Sequence, residues 1–452
     1  MLAFIGMIIL MGIHRLPQVR DYWSGAWGLG VSEISSVMPL YRFESIHHFL
    51  HVTNNKVLFP KEHPDYDKLG KVRQFLNLIQ ANFLKYYIPH QPVSVDESMT
   101  AFKGRSSIKQ YMPKKPIKRG FKSWAMSCPL TGYTFVMEPY IGKVNNANQC
   151  DELLGTRVVY YLSQFLPPNP GYIIHSDRFF TNVELALKLL KEKIYIVGTA
   201  VTNRRHFPDD LKTKANTKHL KRGDMVVRQA SKLDNVKETI PGVTRLTVVV
   251  WKDSQPINFI STAYPPSVGT TCERTQKDGT KITIPCPAVC IGYNKGMGGV
   301  DTADQLAEYY PLGHPTKKWW PRLMWRYLNT ALVNAYLLFK STSSEFNAKE
   351  DDAHKKFQLS VARCLIGGFC SRKNMGRPIV SPRPDHQLVK MPGRIQQCRQ
   401  CMAVNKRKKK TPSATDSPIK RPRESTLGCP KCGVHLCRDT GCYELWHSTA
   451  ES

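Results

Sequence analysis

The sequence lacks a long hydrophobic segment. Its longest apolar run, Met1–Gly12, covers 12 residues, whereas about 20 are needed to cross a bilayer. The run has no positively charged stretch before it and no small-residue cleavage site after it, which excludes a secretory signal peptide. We interpret it as a buried helix whose upstream part lies outside this chain, and we expect no membrane partner.

Acidic residues are scarce. The 452 residues include 35 Asp and Glu against 65 Lys and Arg, which gives a formal net charge of +30. Basic residues recur along the whole length, so nucleic acid is favoured as a partner over an anionic membrane. A hydrophobic content of 41% excludes a disordered chain, and the length suits two to four domains.

Evenly spaced cysteines and internal repeats are also absent. Of 13 cysteines, six fall between Cys398 and Cys442 and the others are scattered. A disulfide framework would be spaced more evenly and would accompany a secretion signal, so we expect a reduced, intracellular protein.

Four aspartates stand out by the segments that carry them: Asp96, Asp177, Asp301 and Asp304. Asp96 lies in an alternating run typical of a strand, and Asp177 ends a short run rich in Ile. Asp301 and Asp304 are spaced i,i+3, on one face of a helix-like segment. A lone Asp is usually a surface residue or a helix cap, and Asp301 suits an N-cap. The joint pattern instead favours a carboxylate cluster that binds two Mg²⁺ or Mn²⁺ ions for phosphoryl transfer on nucleic acid.

The element order around the first two acids supports this interpretation. Residues 92–200 predict three antiparallel strands, a helix, a strand, a helix and a strand, which is the order of an RNase H-like core. Residues 201–287 are rich in predicted strands and read as an insertion that leaves the core sheet at a surface loop. The fold class expected is therefore multidomain α/β with a mixed-sheet catalytic core.

The C-terminal cysteines predict zinc. The candidate ligands are Cys398, Cys401, Cys429, Cys432, His435, Cys437, Cys442 and His447. Eight thiol or imidazole groups suit two tetrahedral Zn²⁺ ions, interleaved in a cross-brace as in RING and PHD folds. The spacing leaves the pairing of ligands with ions open, and His435 is the weakest candidate.

Basic and aromatic residues near the acids are candidates for DNA contact: Lys114, Lys115, Lys118, Arg119, Lys122 and Trp320. The basic residues either form a solvated face or bind the substrate backbone. Trp320 either anchors the core or stacks on a base.

The basic runs 406–410 and 420–423 are solvated loop charges or a bipartite signal for import into the nucleus, and we favour import.

The motifs together resemble the piggyBac transposases and their domesticated relatives. The similar stretches are Val95–Met99 with Phe102–Arg105 and Tyr111–Pro116, Asp177–Thr181, Gly298–Gln305, Trp320–Pro321, and Cys442–His447. They extend over nearly the whole chain.

The resemblance implies a cut-and-paste DNA transposase that forms a hairpin on the transposon end and joins it to TTAA sites. Asp96, Asp177 and Asp301 would be the metal-binding triad, with Asp304 as a further required acid. It also implies a homodimer and a zinc domain that recognises the terminal repeats of double-stranded DNA. The implied parts are a split all-α dimerisation and DNA-binding domain (1–91 and 310–385), a catalytic core (92–200 and 288–309), an insertion domain (201–287), a linker (386–394) and a zinc domain (395–452).

Two other functions remain open at this point. A domesticated relative would bind DNA or chromatin without cutting it, and the four acids argue against that reading without excluding it. A RING-like ubiquitin ligase is disfavoured, because the expected hydrophobic docking pattern is missing around the cysteine pairs.

Overall fold

The protein is described by a computed structural model of residues 1–142, 152–168, 171–212, 217, 219–230, 246–267, 270–342, 352–371, 386–410, 421–438 and 441–449, with backbone alone at 407–410, 448 and 449. The chain divides into two compact units. We call residues 1–34 with 40–369 the core unit, and residues 35–39 with 370–452 the cysteine-rich unit. The finer domain boundaries given above stay predictions.

The core unit contains helices before, within and after a large sheet. The helices are α1 (Leu2–Ile13), α2 (Ser32–Ser35, at the unit boundary), α3 (Leu40–Phe49), α4 (Arg73–Lys85), α5 (Leu154–Ser163), α6 (Val183–Lys191), α7 (Asp209–Lys212), α8 (Ala288–Met297), α9 (Gly299–Tyr309), α10 (Trp319–Thr342) and α11 (Ala353–Ile366). The strands are β1 (Pro92–Ala101), β2 (Gln110–Tyr111), β3 (Arg119–Ser127), β4 (Thr134–Pro139), β5 (Ile173–Ser176), β6 (Tyr195–Thr199), β7 (Met225–Gln229), β8 (Thr247–Lys252), β9 (Pro256–Ser261), β10 (Thr270–Thr275) and β11 (Lys281–Cys286).

The main sheet is mixed and has nine strands among the described residues. Its order is β2-β3-β1-β5-β6-β9-β8-β7, with β4 paired to β3. β1 runs antiparallel to β3 and parallel to β5, and β5 runs parallel to β6. The helices α5 and α6 make the crossovers that parallel neighbours require. The predicted sequence of three strands, helix, strand, helix and strand is therefore present, with β1 in the centre.

The region predicted as an insertion differs from expectation. Its strands β9, β8 and β7 do not leave the core sheet but extend it, because β9 pairs antiparallel with β6 from Val197 opposite Ser261 to Thr199 opposite Phe259. The physical reason is that β6 would otherwise present an unpaired apolar edge. Only β10 and β11 form a separate two-stranded sheet.

Helices from both ends of the core unit pack together. Nine of the 12 residues of α1 are buried, as expected for its apolar sequence, and Gly6 lets α1 approach Ala362 of α11 closely. The long helix α10 bonds to β4 through Asn334, whose side chain donates to Thr134 O and accepts from Thr134 N, both at 2.9 Å. Among the described helices, none is both long and apolar enough to span a membrane.

The cysteine-rich unit consists of two small sheets and two helices. Its elements are β12 (Val389–Lys390), β13 (Gln396–Gln397), α12 (Arg399–Lys410), β14 (Glu424–Ser425), β15 (Leu427–Cys429), β16 (Val434–His435) and α13 (Cys442–Thr449). β12 pairs with β15, and β15 pairs with β16. The predicted linker 386–394 thus contributes a strand to this unit. The segment 411–420, which contains the first residue of the second basic run, lies outside the described residues, as do the side chains 407–410 of the first run.

Helix α8 packs against β5 at a point where only glycine fits. A Cβ atom at Gly296 would lie 2.1 Å from the ring of His175, which is buried and held by the carbonyl groups of Val93 and Ile173. The ring therefore cannot move aside. Gly298, two residues later, has no atom within 4 Å of its Cβ position.

We predict that Gly296→Ala lowers the free energy of unfolding by about 1–3 kcal/mol, the usual effect of overpacking. Gly298→Ala is the matched control and should change it by less than about 0.5 kcal/mol. Urea unfolding of the two variants measures both values. Equal stability of the two variants would contradict the close approach of α8 to β5.

Candidate functional site

Two of the predicted acids come together at one edge of the main sheet. The parallel pairing of β1 with β5 ends at Val95 opposite Ser176, so Asp96 and Asp177 are the next residues on adjacent strands. Adjacent strands lie about 4.8 Å apart. The fold thus brings two carboxylates that are 81 residues apart in sequence to neighbouring backbone positions.

Helix α9 is fastened to β1 by two serine hydroxyls. Ser94 Oγ donates to Met297 O at 2.7 Å, just before the helix, and Ser98 Oγ donates to Asp304 Oδ1 at 2.8 Å, inside it. Because side chains alternate along a strand, both serines share one face of β1 with Asp96. Asp96 is therefore enclosed between two fixed contacts with the helix region.

The third acid, Asp301, lies on α9 between these two contacts and is exposed. The helix begins at Gly299 with Gly298 as its N-cap, so Asp301 is the third helical residue and does not cap the helix. Asp304 follows one turn later and forms an ion pair with Arg326 of α10. Asp304 is thus held by protein partners, whereas Asp301 is exposed.

Burial makes both strand acids weak. Burial raises the pKa of Asp96 to about 7, against the opposing effects of the Lys115 ammonium and the Glu97 backbone N–H. Burial also raises the pKa of Asp177, although the Phe179 N–H donates to its Oδ1 at 2.8 Å. A carboxylate pair that resists ionisation in the isolated chain gains most from a bound cation.

A lysine ammonium lies among the acids. Lys115 Nζ is 4.0 Å from Asp96 Oδ1 and 3.5 Å from Glu97 Oε2. Partial burial would lower the pKa of this ammonium, but the carboxylates of Asp96, Glu97 and Asp301 outweigh burial and raise it. In the described part of the chain, no three of these carboxylates all lie within 4.8 Å of one another. The half-buried, oxygen-only donor set nevertheless fits a hard divalent cation.

Glu97 belongs to this site although the sequence analysis did not select it. Its side chain is only 10% exposed, and Lys122 Nζ donates to its Oε1 at 2.9 Å. The sequence signals were its position directly after Asp96 and its place in the stretch Val95–Met99 that carries the resemblance. The Glu97 carboxylate lies at the site because it pairs with the ammonium groups of Lys115 and Lys122.

The predicted DNA contacts divide into two groups. Lys114, Lys118 and Arg119 are exposed, and their contact with DNA stays a prediction. Lys115 and Lys122 are engaged with carboxylates, and Lys122 is buried with its ammonium 3.8 Å from the centre of the Trp124 ring. The burial of Lys122 corrects its assignment to a basic surface.

Trp320 is also buried, with 7% of its surface exposed, and it stacks on His51. Of the two roles weighed above, this burial favours the core anchor, and stacking on a base stays a prediction.

In the cysteine-rich unit eight side chains form two groups. Cys398, Cys401, Cys437 and Cys442 form one, and His386, Cys429, Cys432 and His447 form the other, each with ligand atoms within 4.8 Å of one another. Members of the two groups alternate in pairs along the chain. Cys401 Sγ lies 3.8 Å from Cys437 Sγ and 3.7 Å from Cys442 Sγ. Thiolates about 2.3 Å from a tetrahedral Zn²⁺ require a separation of about 3.8 Å.

The ligand set differs from the sequence-based set at one position. His435 of β16 lies in neither group, because its Nδ1 donates to Ser425 O at 2.8 Å. His386 takes its place, with Nδ1 3.3 Å from Cys429 Sγ. A single histidine outside any Cys-x2-Cys pair gave no sequence signal.

One thiol of the first group and one imidazole of the second are prepared to bind a metal. Burial opposes ionisation of the Cys398 thiol, but the N–H groups of Cys401 and Cys437 outweigh it and lower its pKa. In the second group, His447 Nδ1 donates to Tyr443 O at 2.8 Å. This leaves its Nε2 lone pair available as a ligand, the usual arrangement at zinc sites.

Comparisons with known proteins agree with this geometry. Residues 1–336 match the family model described as "Transposase IS4". The human PiggyBac transposable element-derived protein 3 is 29% identical over 346 residues, which cover 75% of this chain and 54% of that protein. The human PiggyBac transposable element-derived protein 2 is 28% identical over 345 residues, which cover 74% and 54%. The chain therefore spans about half the length of these relatives.

A solved structure shares the fold. The cryo-EM structure of the piggyBac transposase synaptic complex with hairpin DNA superposes with a TM-score of 0.69 and 23% identity, over 97% of this chain and 85% of that chain. Its large mixed sheet matches the one described here. With the family model matched over residues 1–336, this chain belongs to the piggyBac family of IS4-type DDE transposases and piggyBac-derived proteins.

Proposed function

We propose that this chain is a metal-dependent DNA transposase that cleaves DNA strands and transfers the freed ends. The observation that carries this proposal is the gathering of Asp96, Asp177 and Asp301 at the edge formed by β1, β5 and α9. Such a carboxylate set in a chain of net charge +30 suits a site that binds cations within a surface that binds phosphates.

The finer fold assignment belongs to this proposal. The strand order β4-β3-β1-β5-β6 supports an RNase H-like core. The contact of α1 with α11 supports a helical domain assembled from both ends of the core unit, with a role in dimerisation and DNA binding. The alternating ligand groups support a cross-brace zinc domain that binds terminal repeats.

Each side chain at the site has a defined task in this proposal. Asp96, Asp177 and Asp301 would hold two Mg²⁺ or Mn²⁺ ions, whose chemistry is to activate the attacking oxygen and to stabilise the leaving oxygen. Lys115 offsets part of the effect of burial on Asp96 and Glu97, and so favours their charged form before the ions bind. Lys122 keeps Glu97 ionised and fixed. Lys114, Lys118 and Arg119 bind backbone phosphates next to the site.

The resemblance extends the proposal to the course of the reaction. A nick at the transposon end frees a 3′-hydroxyl, which attacks the opposite strand to form a hairpin; the hairpin is opened and joined to TTAA sites. The related solved structure is described as a synaptic complex with hairpin DNA, which supports this course. The homodimer rests on the resemblance alone. The basic run 406–410 supports import into the nucleus.

A second candidate is a domesticated protein that binds DNA or chromatin without cutting it. The human relatives are named as transposable element-derived proteins, which favours this candidate. The first experiment below separates the two.

The first prediction concerns strand cleavage. With Mg²⁺ and labelled duplexes taken from the DNA on either side of the gene, the wild type should form a hairpin product. Asp177→Ala should reduce the product more than about 100-fold, since even outer-shell partners of a metal change activity 10–100-fold. Asp209→Ala, at an exposed acid on α7, is the control and should cleave normally.

Gel electrophoresis of the products distinguishes the transposase from the domesticated candidate. Equal cleavage by wild type and Asp177→Ala would exclude the proposed triad. Binding of the duplex without cleavage by either protein would favour the domesticated candidate.

The second prediction concerns pH. Because the pKa of Asp96 is raised to about 7, the free site is protonated below pH 7 and a cation must displace that proton. Mn²⁺ affinity should therefore rise about fivefold from pH 6 to pH 7 and level off above pH 8. Titration calorimetry at pH 6, 7 and 8 measures it. Constant affinity across this range would contradict the raised pKa.

The third prediction concerns zinc. The wild type should carry two Zn²⁺ per chain, measured by elemental analysis after gel filtration. His386→Ala should release one ion to a mild chelator, because its ring nitrogen lies among the second group of ligands. His435→Ala should retain both ions. The opposite pattern would restore His435 as the ligand.

A further inference from the structure

The helix α10 reaches the site through a buried arginine. Arg326 has 8% of its side chain exposed, and its Nη2 donates both to Ser98 Oγ, at 3.1 Å, and to Asp304 Oδ1. Ser98 Oγ also donates to Asp304 Oδ1. One guanidinium, one hydroxyl and one carboxylate from three separate elements therefore form a closed triangle of hydrogen bonds.

The triangle lies next to the proposed cation site, both along β1 and along α9. Ser98 follows Asp96 by two residues on the same face of β1, which is about 6.7 Å along a strand. Asp304 follows Asp301 by three residues on the same side of α9, which is about 4.5 Å along a helix. The contact between Ser98 and Asp304 is therefore adjacent to the gap between Asp96 and Asp301.

A charged triangle fixes distance more strictly than apolar packing does. Hydrogen bonds lose strength steeply with length and angle, and those to charged groups are the strongest. Without the guanidinium, the half-buried carboxylate of Asp304 would lose its cationic partner and turn toward water. The helix would then be free to shift on the strand, and the two acids would shift with it.

We infer that Arg326 is a positioning residue that sets the separation of Asp96 and Asp301, and so sets the affinity of the site for divalent cations. Asp304 in this account is the acceptor through which Arg326 acts, and is not a ligand. The inference rests on the proposed function, because it assumes that a cation binds between these acids.

The test is Mn²⁺ binding by the full-length, zinc-loaded chain, followed by electron paramagnetic resonance of free Mn²⁺. The signal of interest is the binding that Asp301→Asn abolishes. Arg326→Met should weaken it about 10–100-fold, the usual effect of removing an outer-shell partner. Arg326→Lys should recover part of the affinity, because it restores a cation beside Asp304.

The matched control is Arg322→Met, one turn earlier on the same helix. Arg322 Nε donates to the Ala101 carbonyl of β1 at 3.1 Å and pairs with none of the four aspartates. Its loss should leave the affinity within twofold. The pair Asp304→Asn and Arg326→Met should be non-additive in a double-mutant cycle, since each breaks the same triangle.

The outcomes separate this inference from the proposed function. If the wild type binds Mn²⁺ and Arg326→Met binds it equally or more tightly, the positioning role is overturned, and tighter binding would identify Asp304 as a ligand. If the wild type shows no binding that depends on Asp301, the proposed function fails and the inference fails with it. Should Arg326→Met not fold by circular dichroism, Ser98→Ala and Arg326→Lys make the same comparison, with smaller losses in the same direction expected.

Discussion

The burial of carboxylates at one edge of the main sheet is the constraint on which the core unit depends. Asp96, Glu97 and Asp177 lie at this edge beside the exposed Asp301, and burial raises the pKa of Asp96 and of Asp177. Lys115 and Lys122 supply the opposing charge from β3 and the segment before it. The two ammonium groups therefore offset part of the negative charge without added ions, and the carboxylates can still bind cations. This combination explains why basic side chains predicted to face solvent are instead drawn inward.

The long helix α10 carries buried polar side chains, and such groups must find hydrogen-bond partners. It donates to β1 through Arg326, to α9 through Asn329, and to β4 through Asn334. Because these contacts are directional, they fix how the helix lies on the sheet. A segment well beyond the third acid in sequence therefore determines the geometry of acids that it does not itself carry.

Local patterns predicted much of this arrangement. Alternation and short apolar runs predicted β1, β3, β4, β5 and β6, and the crossover rule for parallel strands then made Asp96 and Asp177 neighbours. The Cys-x2-Cys pairs likewise predicted four members of the metal groups, because both cysteines of a pair are close in sequence. The features that the sequence did not predict depend on partners that are distant in sequence.

His386 joins the second group only because β12 pairs with β15, and β9 extends the sheet only because β6 has a free edge. The inward position of Lys122 likewise follows from its neighbour Glu97 on an adjacent strand. None of these partnerships leaves a periodic trace in the chain, so propensity and spacing could not find them.

The alternating order of the two ligand groups has a consequence for synthesis on the ribosome. Cys442 completes the first group and His447 the second, so both groups wait for the same terminal helix α13 to emerge. A nascent chain that stops at β16 could then not fully enclose either of the proposed zinc ions. The unit would gain both crosslinks together, and a break in the chain just before α13 would remove both.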